Sequence, residues 1–142
     1  PIQTHTTFSY NLPENLGKHS EQRAGSQTHH LSFKIKPNES FQDLINGYFT
    51  PRYINASIQV KFDGEQFSID NYTKTKGISL PPLLVIQLRR FEIDSPKVTL
   101  PVRFNVKETI RIQQKFNDPI THYRIVAMIN HHGNSIEFGH YT

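Results

Sequence analysis

The sequence contains no cysteine among its 142 residues. Disulfide bonds are therefore excluded, and so are zinc sites built on thiolate ligands. Neither kind of cross-link can hold the fold together. The same absence removes the usual sequence indicator of redox compartment.

Long apolar runs are also missing. The longest, Leu80 to Leu88, falls far below the about 20 residues needed to span a bilayer. A mean hydropathy of -0.56 and 20% charged residues indicate a soluble chain, while ten Phe and a 35% hydrophobic fraction predict one folded domain. The sequence begins at Pro1 with neither Met nor a signal-like apolar stretch, which suggests a processed or truncated product.

The charge is weakly basic, with a net value of +4 when His is neutral. Lys and Arg are scattered along the chain, and no basic run exceeds two residues. This distribution favours an ordinary solvated surface over a nucleic-acid-binding face. A small basic β-rich nucleic-acid binder stays open as an alternative, which a steep salt dependence of oligonucleotide affinity would support.

The first thirty residues are polar and rich in turn formers. Only Thr6 to Tyr10 suggests extended structure, and Asn15 to His30 is predicted to be a long loop because it has no sustained period. The His29-His30 pair could suggest a metal site. No carboxylate or third His lies at ligand spacing, so solvated loop histidines are favoured.

A strand and a helix are predicted after this region. Leu31, Phe33 and Ile35 alternate with polar residues, which is typical of a strand with one buried face. Ser40 is a helix N-cap candidate with Asp43 three residues later. A single apolar stripe with helical spacing follows and ends at Thr50-Pro51; it consists of Phe41, Leu44, Ile45, Tyr48 and Phe49.

Further strands are predicted downstream. Alternating apolar residues from Ala56 to Ile69 flank Asp63-Gly64, a pair that suits a type I′ hairpin turn. Leu83 to Leu88 is predicted to be a buried central strand preceded by prolines, and Val106 to Ile112 an alternating strand.

The last stretch carries the chemistry. A run from Tyr123 to Ile129 that is apolar except for Arg124 predicts a strand buried on both faces, and it breaks at Asn130-His131-His132-Gly133. A second strand signal at Ile136 to Phe138 leads into Gly139-His140-Tyr141. This pattern places an imidazole at a strand start beside a residue without a side chain, which is a plausible way to present a catalytic base.

These segments resemble the ubiquitin-specific proteases. Their histidine box has a strand, an HxG turn, a variable loop and GHY, and here the order is Ile125 to Ile129, His132-Asn134 around Gly133, Ser135 to Phe138, and Gly139-His140-Tyr141. The stretch Leu80 to Phe91 resembles the family signature LPxxLxxxLxRF. Lys97 to Asn105, KVTLPVRFN, resembles a family segment in which a basic residue precedes a short strand of the palm.

The resemblance implies an α+β fold, the mostly antiparallel β fingers and palm of a papain-like cysteine protease with one short helix. Residues 1-30 would begin the fingers, 31-80 would complete them with the helix, and 81-142 would form the palm with the histidine box. The thumb lobe with the nucleophilic Cys, and the third triad residue, would lie outside this chain. The family's fingers usually hold zinc in two CxxC pairs, and Phe62 to Phe67 occupies that place here, so fingers without a metal or other cofactor are expected.

The resemblance also implies site residues and a partner. His140 would be the catalytic base, and the expected partners are ubiquitin or a ubiquitin-conjugated protein and the missing thumb segment or chain, with no nucleic acid and no membrane. The setting would be intracellular, cytoplasmic or nuclear. This chain alone would be inactive because it has no nucleophilic Cys. The expected substrate-binding residues are His132, Gly133, Asn134, Ser135, Ile136, Glu137, Phe138 and Gly139.

Two other functions stay open besides nucleic-acid binding. A non-catalytic ubiquitin-binding module or pseudoenzyme is compatible with the missing Cys. A metal-dependent hydrolase using His131, His132 and His140 is the remaining alternative, which elemental analysis would test.

Overall fold

The computed structural model describes all residues from Pro1 to Thr142 and contains twelve strands and one helix. The chain forms two compact units, one of residues 1–29 and 49–84 and the other of residues 30–48 and 85–142. Most strand pairs are antiparallel. The predicted α+β class is confirmed.

The first unit is built on a long hairpin. Strand β1 (Ile2–Leu12) pairs antiparallel with β2 (Gly17–Thr28) along its whole length, and Asn15 in the connecting turn has a positive φ of 59°. The prediction of a loop from Asn15 to His30 is wrong. Strand β2 is almost entirely polar and exposed, so its sequence has no hydrophobic period that would predict a strand. It is a strand because its backbone pairs with β1.

Two further strands complete this sheet in the order β2-β1-β7-β4, where β4 is Arg52–Ile54 and β7 is Tyr72–Ile78. One sheet face is apolar. Tyr10 and Leu12 of β1 are buried on it together with Val60 and Ile69. Partly buried aromatic and aliphatic side chains surround this cluster, namely Phe8, Ile58, Phe62, Phe67 and Tyr72.

Val60 and Ile69 belong to the predicted hairpin, which is confirmed. Strand β5 (Ile58–Phe62) pairs with β6 (Glu65–Ile69) in antiparallel register. The turn residues Asp63 and Gly64 have positive φ values of 51° and 77°, as a type I′ turn requires. The hairpin is therefore held by its ladder and by apolar packing.

The predicted helix is also confirmed. Helix α1 (Phe41–Phe49) buries Leu44, Ile45 and Phe49, while Phe41 and Tyr48 are less deeply buried. Its N-terminus is a reciprocal capping box: the Ser40 amide donates to Asp43 Oδ2 at 2.9 Å, and the Asp43 amide donates to Ser40 Oγ at 3.1 Å. The nine-residue α1 is the only helix, and it is neither long nor apolar enough to cross a bilayer.

The second unit also contains short strand pairs. Strand β3 (Leu31–Lys34) pairs in parallel with β8 (Ile86–Arg89), and Leu31 and Phe33 are buried as predicted. Strand β9 (Ile110–Ile112) pairs with β10 (Thr121–Tyr123). The Gln42 side chain of α1 binds both backbone groups of Arg111, donating to its carbonyl at 2.7 Å and accepting from its amide at 2.9 Å.

Two strand predictions fail in large part. The predicted central strand begins only at Ile86, because Leu83 is 67% exposed and precedes any pairing. The run from Tyr123 to Ile129 leaves the sheet after Tyr123, and Ile129 is 81% exposed. A strand buried on both faces needs strands paired along its edges and other elements packed on its faces, and no strand of this chain pairs with residues 124–129.

The other strand differences are smaller. The alternating strand predicted from Val106 is confined to Ile110–Ile112. Ile136 to Phe138 forms a bend instead of a strand. Within Lys97 to Asn105 there is no strand, but Arg103 forms an isolated parallel bridge with Ser40. In each case the apolar pattern is present while a pairing partner of sufficient length is not.

The capping box predicts a specific pH dependence of stability. Hydrogen bonds from the backbone and then the side chain of Ser40 lower the pKa of Asp43 below its ordinary value. Because the folded-state pKa is the lower one, the stabilisation is complete above about pH 5 and is lost as the pH falls through the lowered pKa. At neutral pH we expect the wild-type chain to have a higher melting temperature than the Asp43→Asn variant. This difference in melting temperature should shrink to zero in acid.

Thermal unfolding followed by circular dichroism measures this difference. Asp94→Asn is the matched control, because Asp94 lies in an exposed turn and its side chain makes no hydrogen bond. A difference between wild type and Asp43→Asn that stays constant down to the acid limit would contradict the ionised capping box.

Candidate active site

The candidate site is a two-stranded ladder at the end of the chain. Strand β11 (His131–His132) pairs antiparallel with β12 (His140–Tyr141), with His132 opposite His140. Asn130 and Thr142 extend the ladder through reciprocal amide-to-carbonyl hydrogen bonds of 2.8 and 2.9 Å. The structure therefore places His140 at the start of a strand, as the sequence predicts.

The two glycines of this segment close the loop that joins the strands. Gly133 and Gly139 have positive φ values of 130° and 151°. A Cβ added to Gly133 would lie 3.1 Å from the Gly139 Cα. One added to Gly139 would overlap the His131 ring and approach the His132 carbonyl oxygen at 2.5 Å. The backbone can therefore return to β12 at this distance only where side chains are absent.

His131 is the most tightly held residue of the ladder. Its ring packs edge-on against Phe91 with centroids 5.3 Å apart, and against Tyr141 at 5.0 Å. The Lys97 ammonium reaches His131 Nδ1 at 3.2 Å, the His131 carbonyl at 3.0 Å and the Gly133 carbonyl at 2.7 Å. The segments ending at Phe91 and beginning at Lys97 thus meet the histidine ladder.

A neighbouring arginine fixes the path between these segments. Arg90 donates from Nη1 to the carbonyls of Val98 and Leu100 at 3.1 and 2.9 Å. The Val98 amide also donates to the Arg90 carbonyl at 2.7 Å. These bonds hold the backbone that follows Lys97 against the end of β8.

His140 itself is exposed and its ring makes no hydrogen bond. The ring of His132, across the ladder, lies with Nε2 2.9 Å from Thr142 Oγ1. An accessible imidazole at a strand start can accept a proton from a group that approaches from solvent. The ladder geometry is therefore compatible with a general base at His140 and with a fixed, hydrogen-bonded ring at His132.

The remaining predicted site residues form the loop between the glycines, which we call the histidine loop (residues 134–138). Ile136 and Phe138 are 68% and 75% exposed. Ser135 is less exposed, and its Oγ accepts a hydrogen bond from the Glu137 amide at 3.2 Å. The structure thus presents a solvent-facing loop with two exposed apolar side chains close to His140 in sequence.

No group of three or more His, Asp or Glu side chains is arranged to hold a metal ion. His131 uses its ring in packing and in the contact with Lys97, and His132 faces Thr142. The metal-dependent alternative therefore finds no ligand set in this structure.

Sequence reasoning missed the central residue of the ladder. The HxG turn is expected at His132 to Asn134 around Gly133, whereas the packed ring belongs to His131. A signal was available, because residues 131 to 133 read His-x-Gly whereas residues 132 to 134 read His-Gly-Asn. The contacts of Lys97 and Phe91 had no such signal, since each is formed across more than thirty residues of sequence.

Comparison with known proteins decides the family. A family model described as "Ubiquitin carboxyl-terminal hydrolase" matches residues 5–142. The chain belongs to the ubiquitin carboxyl-terminal hydrolase family. The predicted resemblance to ubiquitin-specific proteases is confirmed at the level of the family.

Curated relatives agree with this membership. Ubiquitin carboxyl-terminal hydrolase 36 of Drosophila melanogaster is 32% identical over 120 residues, which are 79% of this chain and 11% of that protein. Probable ubiquitin carboxyl-terminal hydrolase R319 of Acanthamoeba polyphaga mimivirus is 28% identical over 123 residues, 79% of this chain and 26% of that protein. The chain therefore spans a minor part of these hydrolases.

Solved structures share the fold. A SAGA Ubp8/Sgf11/Sus1/Sgf73 DUB module bound to ubiquitin aldehyde superposes with a TM-score of 0.67 at 18% identity, covering 99% of this chain and 32% of that chain. A SAGA DUB module bound to monoubiquitin gives a TM-score of 0.70 at 17% identity, with 99% and 31% covered. Almost the whole hydrolase-family chain thus corresponds to about a third of a larger fold.

Proposed function

We propose that this chain is the fingers and palm of a deubiquitinase, in which residues 31–80 complete the fingers and residues 81–142 carry the histidine box. In the complete enzyme it binds ubiquitin and supports hydrolysis of the isopeptide or peptide bond after the C-terminal glycine of ubiquitin. The observation that carries the proposal is the β11–β12 ladder, with an exposed His140 beside Gly139. The family match and the ubiquitin-bound structural relatives support it.

The proposed reaction uses a thiol that this chain does not contain. His140 accepts the proton of a Cys supplied by the thumb lobe, because the thiolate is the attacking form. The thiolate attacks the carbonyl and forms a thioester as the imidazolium donates its proton to the departing lysine amine, which leaves His140 neutral again. His140 then takes a proton from the water that attacks the thioester and returns it to the departing thiolate, so that the free carboxylate, the thiol and the neutral imidazole are restored. By this proposal, the chain alone cleaves nothing.

The histidine loop is proposed to contact the C-terminal tail of ubiquitin. Gly133 and Gly139 keep bulk away from the entrance to His140, and the exposed side chains of Ile136 and Phe138 offer an apolar surface to the tail. The β5–β6 hairpin is proposed to contact the globular body of ubiquitin. In the complete enzyme, the histidine loop and the β5–β6 hairpin would bind the tail and the body of the same ubiquitin molecule.

A non-catalytic ubiquitin-binding module is the second candidate, favoured by the absence of Cys from the sequence. Both candidates require ubiquitin binding. They differ in whether His140 is needed for hydrolysis once a cysteine-bearing lobe is present, and that substitution is treated in the Discussion.

Ubiquitin binding is tested by titrating isotopically labelled ubiquitin with the chain and following NMR shift changes. We expect micromolar or weaker affinity, because a partial footprint below about 1,200 Å² gives weak association. Shift changes should cluster on the body of ubiquitin and on its C-terminal tail. Removing the tail should weaken binding.

A matched pair of substitutions locates the tail contact on this chain. Phe138→Ser should weaken binding several-fold, because Phe138 lies in the histidine loop. Phe116→Ser is the control, since Phe116 is 91% exposed in a turn outside the proposed surface. An unchanged ubiquitin spectrum at millimolar chain would remove the binding proposal, and equal effects of the two variants would remove the tail contact.

A further inference from the structure

We infer that Lys97 is a positioning residue for His140, acting through the backbone and ring of His131. The inference rests on the proposed role of His140 in hydrolysis. Lys97 lies 34 residues before His131 in sequence and does not touch His140. Its contacts nevertheless fix the strand against which His140 is aligned.

The contacts use the full donor capacity of the lysine. An ammonium group has three N–H donors. Three acceptors surround Lys97 Nζ: the His131 carbonyl at 3.0 Å, the Gly133 carbonyl at 2.7 Å and His131 Nδ1 at 3.2 Å. All three belong to the segment from His131 to Gly133, which is β11 and the residue after it, so a single side chain contacts both ends of that segment.

The charge of Lys97 is directed at dipoles and not at a carboxylate. The acceptors around Lys97 Nζ are two carbonyl oxygens and a ring nitrogen. Lys97 is partly buried, and its ammonium also lies 5.7 Å from the Phe91 ring centroid. A partly buried cation interacts favourably with backbone carbonyls and an aromatic ring only when those groups keep a particular arrangement around it. Its contacts therefore stabilise that arrangement.

The His131 ring passes this constraint to the strand that carries His140. Because the lysine donates to Nδ1, the neutral ring carries its proton on Nε2. The Nε2 edge faces Gly139, where an added Cβ would overlap it. The ring thus lies between Lys97 and Gly139, the residue directly before His140. On the other side of His140, Tyr141 is held by its pairing with His131. Rotation of the ring would displace the start of β12.

The first test uses this chain and needs no activity. In Lys97→Met we expect amide hydrogen exchange of Asn130 and Thr142 to accelerate by about ten-fold, the effect of losing roughly 1.4 kcal/mol of protection. Long-range proton–nitrogen spectra should show that the His131 ring loses its single tautomer. Lys97→Arg keeps donors for both carbonyls and should recover most of the exchange protection.

The controls separate positioning from a general loss of folding. Lys107→Met removes an exposed lysine whose side chain makes no hydrogen bond, and it should change neither measurement. Amides of the β1–β2 hairpin should keep wild-type protection in Lys97→Met. Unchanged exchange and an unchanged His131 tautomer in Lys97→Met would overturn the inference, and so would an equal loss of protection throughout the chain.

The second test uses a complete enzyme in which this chain is joined to a cysteine-bearing lobe. We expect Lys97→Met to lower kcat about ten- to hundred-fold with KM nearly unchanged, because small misplacements of a catalytic group have effects of this order. His140→Ala is measured alongside. If His140→Ala retains hydrolysis, the proposed function fails; if His140→Ala is inactive while Lys97→Met keeps its kcat, only the positioning role of Lys97 is overturned.

Discussion

Replacing His140 with Ala is expected to lower hydrolysis of a ubiquitin C-terminal reporter by about 10²- to 10⁴-fold in a complete enzyme that carries this chain, the range that a general acid–base contributes. The His140 ring is exposed at the start of β12 and makes no competing hydrogen bond. It is therefore available to a thiol from another segment. The effect should fall on kcat, because the role proposed for His140 is to accept the proton of the nucleophile.

His29→Ala is the matched control for this prediction. His29 is also exposed, but it lies in the other unit of the chain and outside the candidate site. Its removal should leave hydrolysis unchanged. Substantial hydrolysis by the His140→Ala enzyme would exclude the general-base role of His140. It would favour the second candidate, in which this chain binds ubiquitin but contributes no catalytic group.

The elements that sequence predicts well are those specified by neighbouring residues. Helix α1 has its stripe, its capping box and its stop within about a dozen residues, so Ser40 and Asp43 suffice to place its start. The β5–β6 hairpin depends on the two turn residues Asp63 and Gly64. These hydrogen bonds and positive φ values depend on residues a few positions apart, so the local sequence is enough to predict them.

The elements that sequence predicts poorly depend on partners distant in the chain. Strand β2 is polar, and it is a strand because β1 supplies its hydrogen bonds. The opposite failure occurs at residues 124–129, which have a strong apolar pattern and no paired strand in this chain. A strand is a property of a pair, so the pattern of a single segment predicts it incompletely.

The candidate site shows both kinds of behaviour. The position of His140 next to Gly139 at a strand start follows from adjacent residues, and the sequence predicts it. The arrangement of Phe91, Lys97 and His131 is formed by contacts across more than thirty residues. Hydrophobic periodicity carries no information about such contacts, so the role of His131 emerges only from the structure.

Replacing Gly139 with Ala is expected to open the β11–β12 ladder. The backbone of Gly139 has a φ of 151°, a conformation that L side chains rarely adopt, and the new methyl group would overlap the His131 ring. Backbone strain of this kind amounts to about 1–3 kcal/mol. We therefore expect amide exchange of Asn130 and Thr142 to accelerate by roughly one to two orders of magnitude.

Gly47→Ala is the same chemical change at a site with the opposite expected sign. Gly47 lies inside α1, and beyond the adjacent residues and the backbone of its own helix a Cβ there would meet no atom within 4 Å. Ala is favoured over Gly in a helix interior by about 0.5–1 kcal/mol, so this variant should raise the melting temperature and leave the ladder amides protected. The contrast separates the effect of a methyl group from the effect of its position. Wild-type exchange at Asn130 and Thr142 in Gly139→Ala would show that the close approach of Gly139 to His131 is not needed to hold the ladder. The alignment of His140, the proposed base, would then not depend on that approach.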